Sequence, residues 1–332
     1  MKNTSRFFVF LFLSMLLNAC VEEVNLPLRD PEPQLVVEGL LSNDPVPYEV
    51  KLSYTGVFAS GRFLPSRLAV NGALVSISDD KGVRTVLEQD FLEPGTYRTA
   101  DPNFVGVVGR TYSVTIVTPD EKKYVSRPER LNAVPPINRL YAEFAERTRT
   151  RPDGYEIYID TQDPAESQNY YRWTAYGFSN RPCGNPYAWV PFFSRGINIF
   201  DDRNINGKEV KRRNVLFSAM YGSGFHFIEV AQYAMSREAY QFWQLYNEQL
   251  NRTGSILDPL PAPIKGNVVN ADNPDDIALG YFQVSGIARR KLKITPDTKF
   301  SQAYVTDRSA PFVTGVSGLC NNSQESAPRG WE

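Results

Sequence analysis

The stretch Tyr48-Glu49-Val50-Lys51-Leu52-Ser53-Tyr54 decides the fold class of this chain. Aromatic and apolar side chains alternate with polar ones, so one face can pack on a core while the other meets water. A period of two residues is typical of a half-buried β-strand. The same alternation returns at 73–77 and at 112–116, and a turn signal lies at 79–82. Short strands separated by turn signals predict a β-sandwich.

Length and charge narrow the class of protein further. A chain of 332 residues is long enough for two domains of roughly 100 to 200 residues each. The formal net charge is −1, and no basic run is longer than those at 211–213 and 289–291. Proteins that bind nucleic acid carry an extended positive surface, so this pattern excludes nucleic acid as a partner.

Two prolines, in Val134-Pro135-Pro136-Ile137, indicate a domain boundary, because proline removes a backbone donor and stiffens a connection. Alternating strands resume beyond it, at 155–159 and at 170–176. We therefore predict a mainly all-β chain with two immunoglobulin-like β-sandwich domains in tandem. The first would cover residues 34–134 and the second residues 135–332.

The second predicted domain contains an irregular insertion at 178–213, where prolines and glycines interrupt the strand pattern. Four aromatic residues lie close together within it and are the predicted contacts for a ligand or partner: Tyr187, Trp189, Phe192 and Phe193. Aromatic side chains are enriched where binding energy is concentrated. The alternative is that these rings form a small core of the insertion itself.

The segment 202–207 resembles the first half of a calcium-binding loop, because oxygen ligands stand at alternate positions before a glycine. Asp202, Asn204 and Asn206 would be the ligands. The place of the closing bidentate glutamate is taken by Arg213, whose charge would repel the metal. Asn-Gly is also a strong hairpin signal. We therefore predict a hairpin, with no bound metal and no other cofactor.

One amphipathic helix is predicted at 236–251. Ser236 suits the N-cap, the first turn is acidic, and apolar residues recur on one stripe. After it, the proline-rich stretch 258–263 is extended. It leads to two segments, 264–268 and 278–282, which we expect to form a hairpin that closes the second sandwich.

The amino terminus predicts export and a lipid anchor. Lys2 and Arg6 precede a short apolar run, as in a signal peptide over residues 1–19, and Ala19-Cys20 fits the cleavage and acylation site of a lipoprotein. The alternative is an ordinary cleaved signal with an incidental cysteine. Residues 20–33 carry several prolines and would form an extended tether behind the lipid.

Val21-Glu22-Glu23 follows the predicted lipid site directly. Acidic residues at this place resemble the signal that carries some Bacteroidota lipoproteins through the outer membrane to the cell surface. The alternative is the solvated start of a linker. We expect an outer-membrane lipoprotein exposed at the cell surface, with a periplasm-facing position as the alternative.

The remaining cysteines agree with export. If Cys20 carries lipid, Cys183 and Cys320 form an even pair in a compartment where disulfides persist. We predict a disulfide between them. The alternative is two separate buried thiols, because a bond requires the fold to bring the Cα atoms within roughly 7 Å.

Catalysis has little support in the residues. The single histidine, His226, stands between two phenylalanines in a strand-like segment. A zinc site built on two histidines is therefore excluded, and a Ser-His-Asp triad would depend on this residue alone. Paired carboxylates for glycoside hydrolysis stay open, because their separation depends on the fold. We expect a protein that is not an enzyme.

Several motifs together resemble one known family. They are Leu35-Val36-Val37-Glu38-Gly39 near the front, Lys265-Gly266-Asn267-Val268, and Leu279-Gly280-Tyr281-Phe282. With them the mature chain is similar to the domain of unknown function 4249 family. The run 72–97 also resembles the small immunoglobulin-like modules of the carboxypeptidase-regulatory type. Family members often carry a second cysteine soon after the position of Cys320, and this chain has none there.

The family resemblance implies a Bacteroidota lipoprotein of the outer membrane, encoded beside TonB-dependent transporters of the SusC kind. It implies no catalytic residues. The expected function is non-enzymatic capture of a ligand for such a transporter, with lipid on Cys20 as the membrane anchor. The alternatives are a role in adhesion or envelope structure and, less favoured, an envelope hydrolase.

Overall fold

The structure is a computed structural model, and it describes residues 32–56, 68–181, 188–194, 196–220, 225–252 and 264–295. The strands in chain order are β1 (Leu35–Ser42), β2 (Glu49–Tyr54), β3 (Leu74–Asp79), β4 (Arg84–Gln89), β5 (Thr96–Thr99), β6 (Thr111–Val117), β7 (Lys123–Ser126), β8 (Glu129–Arg130), β9 (Ile137–Ala145), β10 (Gly154–Gln162), β11 (Tyr170–Arg181), β12 (Ala188–Phe193), β13 (Asn198–Asp201), β14 (Glu209–Ala219), β15 (His226–Met235), β16 (Lys265–Asn270), β17 (Ile277–Ser285) and β18 (Ile287–Ile294). The helix α1 spans Arg237–Leu250. The predicted all-β class is confirmed.

Nine of the described strands close into one sheet, which we call the ring. Its order is β1, β2, β5, β4, β3, β6, β7, β16, β17 and back to β1, and β8 pairs with the start of β6. Alternate residues point inward, and Val37, Val50, Ile77 and Ile116 are fully buried. Because these strands form one closed sheet instead of two separate ones, the immunoglobulin-like detail is not confirmed for the ring.

The pairing of β16 and β17 corrects one prediction. β17 runs parallel to β1, and β16 runs antiparallel to β7. The hairpin predicted to close the second sandwich therefore closes the ring, and its strands join those of the first predicted domain. The prediction followed the usual preference of consecutive strands for neighbouring positions. A strand pattern identifies the strand but not the edge that it joins.

The other described strands form two facing sheets, which we call the sandwich. One sheet contains β9, β10 and β14, and the other contains β11, β12, β13, β15 and β18. Ile157, Ile159, Trp173 and Ile228 are almost wholly buried between them. Trp173 Nε1 donates to Gln232 Oε1 at 2.8 Å, so the buried indole N–H and the amide oxygen satisfy each other.

The insertion predicted as irregular is regular strand over most of the part that the structure describes. β12 pairs with the second half of β11, and β13 pairs with its first half. Proline 191 lies in β12, an edge strand of this sheet, where a missing backbone donor is tolerated. Aromatic residues favour strands, and this preference outweighed the breakers.

The turn at 203–207 corrects the predicted hairpin. It follows β13, which pairs with β11, and precedes β14, which pairs with β10. The turn therefore carries the chain from one sheet of the sandwich to the other. Gly207 has a φ of +74°, so the prediction of a turn with a glycine at positive φ is confirmed. The prediction that the strands on either side of the turn pair with each other is wrong.

The ring and the sandwich are joined by close backbone contacts. Gly286 alone separates β17 of the ring from β18 of the sandwich. A Cβ at Gly286 would lie 2.3 Å from the carbonyl oxygen of Asn132, and the Gly286 carbonyl accepts from Ala234 N at 3.0 Å. Ile287 N donates to Asn43 Oδ1 at 2.7 Å. These contacts fix β17 and β18 relative to each other.

The helix confirms its predicted start. Ser236 Oγ accepts from Ala239 N at 3.0 Å, which is the expected N-cap bond. Asn251 N donates to Asn247 O at 3.1 Å and ends the last turn. Ala239 is fully buried, and most of the other helix residues keep some exposure. No helix in the described ranges is long and apolar enough to cross a membrane.

Candidate functional site

A groove of about 930 Å³ lies between α1 and the outer face of the ring, and we call it the interface groove. β1, β2 and β17 form its floor, α1 forms one wall, and β11 and β18 of the sandwich reach its side. Ligand cavities of roughly 300 to 1,000 Å³ are typical for small molecules and occur preferentially between domains. The interface groove is therefore the candidate functional site.

The floor of the interface groove is apolar on a face that usually meets water. Val36 and Leu40 of β1 and Leu279 and Tyr281 of β17 line it, while their neighbours along each strand point into the ring. Apolar residues on both faces indicate a strand that is covered on both sides. The nearly continuous apolar run 35–41 is the sequence signal that could have revealed this cover.

Aromatic rings of α1 form the opposite wall. Trp243 Nε1 donates to Gln283 Oε1 of β17 at 2.8 Å, which fixes the indole against the floor. The ring centroids of Phe242 and Tyr281 are 5.0 Å apart, and those of Trp243 and Tyr246 are 5.8 Å apart. The sequence pattern placed these residues on a packing stripe. The structure places the same side chains along an open groove.

Arg172 of β11 brings a positive charge to the interface groove. Its guanidinium carbon lies 3.7 Å from a ring centroid of Trp243 and 5.7 Å from that of Tyr233. Burial lowers the pKa of Arg172, and the guanidinium still stays protonated because the ordinary pKa of arginine is so high. Within the described residues, no carboxylate pairs with Arg172 and no hydrogen bond is formed by its guanidinium.

The other cations around the groove already have acidic partners. Arg289 bonds Asp44 at 2.7 Å and Glu229 at 2.9 Å. Lys51 lies 3.0 Å from the neighbouring glutamate of β2. Among the described residues that line the groove, Arg172 is the cation that lacks an anionic partner.

A buried acid supports the floor from below. Tyr281 OH donates to Glu129 Oε1 of β8. Burial raises the pKa of Glu129, and the hydrogen bond from Tyr281 opposes this shift. Burial is also the largest cause that raises the pKa of Tyr281. The bond ties Tyr281 of the floor to β8.

The two glycine-containing motifs shape the floor. Gly280 has a φ of +78°, and a Cβ there would lie 2.2 Å from the carbonyl oxygen of Val37. A Cβ at Gly266 would lie 2.2 Å from the carbonyl oxygen of Gly280. The pairing of β16 with β17 contains a bulge between Lys265 and Val269. At the bulge the Asn267 side chain takes the place of a backbone pair, because its Nδ2 donates to Phe282 O at 2.8 Å and its Oδ1 accepts from Phe282 N at 2.9 Å. These residues seat β17 against β1 and β16.

A family model described as a domain of unknown function, DUF4249, matches residues 21–291. The chain belongs to the DUF4249 family. The predicted resemblance is therefore confirmed, and the match includes every residue of the interface groove named above. No curated protein matches the chain. In this member of the DUF4249 family, the quoted Gly-Asn and Gly-Tyr-Phe motifs form the bulge beneath the groove.

Three of the four predicted aromatic contacts, Trp189, Phe192 and Phe193, lie on β12, away from the interface groove. Trp189 stacks on Phe227 with ring centroids 4.8 Å apart, and Phe192 packs against the sandwich core. Phe193 is 65% exposed. Tyr187 lies outside the described residues. The structure gives Trp189 and Phe192 packing partners, and the contact role of all four stays a prediction.

Both phenylalanines of β12 border a second groove, of about 780 Å³, which we call the edge groove. It lies at the open edge of the sandwich, between β14 and the strands β12 and β13. Its arginines have partners. Arg151 pairs with Glu156, and Arg213 donates to Asn198 Oδ1 at 2.6 Å and to Ile199 O at 3.2 Å.

The three residues of the calcium-like segment do not share one environment. Asp202 is fully buried, whereas Asn204 and Asn206 are exposed. Asp202 Oδ2 accepts from Asn169 N at 2.8 Å. In the described ranges, no three His, Cys, Asp or Glu side chains group together as a metal site would require.

Asp202 instead lies beside a second buried acid, Asp163. Burial raises the pKa of Asp202, and the charge of Asp163 raises it further against hydrogen bonds from Asn169. Asp163 accepts from Tyr171 OH at 2.7 Å and from Gly207 N at 2.8 Å. Asp202 Oδ1 has no donor among the described residues, and a proton held between the two carboxyl groups would supply one.

His226 is enclosed in the sandwich. Its Nδ1 lies 2.8 Å from Ser218 Oγ, and both residues are buried. The contact joins β15 of one sheet to β14 of the other, and Tyr155 lies edge-on to the imidazole with centroids 5.4 Å apart. This arrangement acts as a polar brace between the sheets.

The predictions about cysteine fall outside the described residues. These are the lipid on Cys20 and the disulfide between Cys183 and Cys320. Both stay predictions from the sequence.

Proposed function

We propose that this member of the DUF4249 family is a non-enzymatic outer-membrane lipoprotein that captures a ligand for a TonB-dependent transporter. Lipid on Cys20 would hold it at the membrane, exposed at the cell surface, and residues 20–33 would act as the tether. The observation that carries ligand capture is the interface groove, an aromatic cavity between two joined units. The transporter and the location are proposed from the export signal and the family resemblance.

The groove favours binding because its parts are held in place before a ligand arrives. Trp243 is fixed to Gln283, and Tyr281 is fixed to Glu129. At Gly286 the backbones of the ring and the sandwich are too close for even a Cβ atom to fit between them. A site that needs little ordering on binding keeps more of its contact energy as affinity.

The test of membrane attachment is metabolic labelling with a fatty-acid analogue. The wild type should be labelled and Cys20→Ala should not. Equal labelling of both proteins would reject the lipid anchor at this residue.

The test of the transport role is affinity capture of the tagged chain from detergent-solubilised outer membranes. A TonB-dependent transporter should be recovered with the wild type at a constant ratio. Membranes that carry an untagged copy of the chain are the control for carry-over. Recovery of no transporter, with intact lipoprotein in hand, would reject the transport role and leave adhesion or envelope structure as the alternative.

An envelope hydrolase is the weaker proposal, and its residues lie in the sandwich, outside the interface groove. A serine hydrolase would depend on the Ser218 and His226 pair, which is enclosed between the two sheets, and the paired carboxyl groups of Asp163 and Asp202 are buried as well. A nucleophile needs access to its substrate and an oriented base. Binding therefore fits the described geometry better than catalysis.

A further inference from the structure

We propose that the interface groove binds a small organic monocarboxylate with an aromatic or apolar body, and that Arg172 holds the carboxylate. This inference deepens the proposed function and depends on the groove being a ligand site. It assigns a chemical class to the ligand and a role to one side chain.

The first reason is the charge of Arg172. A cation that is partly withdrawn from water is costly unless an anion or several acceptors compensate it. Arg172 has aromatic faces beside it and neither kind of partner among the described residues. An anionic ligand would provide the missing partner.

The second reason is the position of the guanidinium over an aromatic face. It lies 3.7 Å from a ring centroid of Trp243, and Trp243 is itself held by Gln283. Stacking on an aromatic face leaves the N–H groups in the guanidinium plane available for a planar acceptor. A carboxylate matches this fork with two parallel hydrogen bonds.

The third reason concerns the number of charges that the groove can compensate. Arg289 is neutralised by Asp44 and Glu229, which leaves Arg172 as the free cation in the described lining. Glu38 also lines the groove and is exposed, so it would repel a second negative charge. The balance favours a monoanion over a phosphate dianion.

The body of the ligand is inferred from the remaining lining. Phe242 and Tyr246 of α1 face apolar residues of β1 and β17, including Val36 and Leu279, across the groove. Flat apolar rings bind well between such surfaces. An aromatic acid would place its ring there and its carboxylate at Arg172.

The experiment is isothermal titration calorimetry on the full chain in detergent, with naphthoate as the probe. Naphthamide is the matched neutral probe, and naphthyl phosphate is the matched dianion. Naphthoate should bind roughly ten- to one hundred-fold more tightly than naphthamide, which is the range for one charged hydrogen-bonded pair. Naphthyl phosphate should bind no more tightly than naphthoate.

Two variants locate the preference for the charge. Arg172→Gln should bind naphthoate and naphthamide equally, because the side chain keeps its stem and loses its charge. Arg289→Gln, the paired arginine of the same groove, is the control and should keep the preference for naphthoate. Circular dichroism and the melting temperature of each variant show whether it is folded, and the comparison of probes on the wild type does not depend on any variant.

Each remaining result would overturn the inference. Equal binding of naphthoate and naphthamide to the wild type would remove the role of charge while leaving the groove as a ligand site. An unchanged preference in Arg172→Gln would assign the carboxylate to another residue. Tighter binding of the phosphate would reject the monoanion. If naphthoate does not bind the wild type, the ligand class is wrong, and capture of the transporter decides separately whether the proposed function stands.

Discussion

The interface groove and the edge groove contain the same kinds of side chain and differ in whether those side chains have partners among the described residues. In the interface groove, Arg172 lies over Trp243, and in the edge groove, Arg213 lies 5.3 Å from the ring of Trp173. Burial lowers the pKa of both arginines. Arg213 donates to Asn198, whereas Arg172 has no such acceptor in the described part of the chain.

This difference separates packing from recognition. Aromatic rings beside an arginine are found in both grooves, so composition alone cannot tell which one binds a ligand. A cation with all its acceptors in place contributes to the fold. A cation that faces an open groove and has no acceptor can instead bind an anionic ligand. The following changes test the distinction, beginning with the largest expected effect.

Gly286→Ala should damage the interface groove most. Its Cβ would lie 2.3 Å from the Asn132 carbonyl oxygen, so the ring and sandwich would have to shift. The free energy of unfolding should fall by about 3 kcal/mol, and naphthoate binding should weaken with it. Gly196→Ala, in the edge groove, is the control because its Cβ would meet nothing within 4 Å. Urea unfolding measures the free energy of unfolding of both variants. Equal stability of the two would show that the close contact at Gly286 does not hold the ring against the sandwich.

Trp189→Ala and Trp243→Ala should affect different properties. Trp189 is stacked on Phe227, so its loss should lower the free energy of unfolding by about 2 kcal/mol, below the cost of a fully buried tryptophan. Its affinity for naphthoate should not change. Trp243→Ala should weaken naphthoate binding, because the ring supports the guanidinium. If Trp189→Ala weakened binding as much as Trp243→Ala, the face of β12 that carries Trp189 would become the ligand site.

Arg213→Gln and Arg172→Gln compare the paired and unpaired arginines directly. Loss of Arg213 removes charged hydrogen bonds to Asn198 and Ile199, so the free energy of unfolding should fall by about 1.5 kcal/mol. Arg172→Gln should change it by less than about 0.5 kcal/mol, because relief of desolvation offsets the lost contact with Trp243. Thermal and urea unfolding measure the difference. A larger loss in Arg172→Gln would show that Arg172 serves the fold.

Asp202→Asn should give the smallest change in stability. It tests a polar atom, Asp202 Oδ1, that has no partner among the described residues but lies in a closed interior instead of an open groove. The raised pKa of Asp202 means that the folded state keeps a proton that the unfolded state releases near the ordinary value of 3.8. Stability from this proton is present below that pH and is lost as pH rises through the folded-state pKa. Asp202→Asn can donate to Asp163 at every pH, so it should lack this loss. Urea unfolding from acid to neutral pH compares the two proteins.

The control for this titration has the opposite sign. A hydrogen bond from Thr118 is the largest cause that lowers the pKa of exposed Asp120. Its contribution is therefore present above the ordinary aspartate pKa and is lost as pH falls. Asp120→Asn should change the pH profile in the direction opposite to Asp202→Asn. Identical profiles for wild type and Asp202→Asn would show that no proton is held at this pair.

Local patterns allowed a large part of the fold to be predicted. Alternation at 48–54 and at 112–116 identified β2 and β6, and Ser236 identified the start of α1. The motifs at 265–268 and 279–282 led to the correct family. These properties depend on neighbours within a few residues, so they can be read without knowing the rest of the chain.

The site was missed because it depends on contacts between distant segments. The aromatic residues at 187–193 were predicted as contacts because they are close in sequence. Arg172 and Trp243 are distant in sequence and meet only after β11 and α1 have packed against the ring. The apolar run of β1, which Glu38 interrupts, could have indicated a second covered face. It could not indicate that α1 would leave an open groove above it.

The sequence by itself therefore determined the all-β class, the helix with its cap and the membership of the DUF4249 family. Only the tertiary structure decided that β17 pairs with β1, that the turn after β13 crosses between sheets, and that Arg172 has no anionic or hydrogen-bond partner among the described residues. The physical reason is the distance along the sequence over which each interaction acts. Strand and helix signals are local, whereas the choice of a strand's partner depends on which distant surfaces fit, and the entropy of closing a longer loop increases too slowly to enforce the nearest choice.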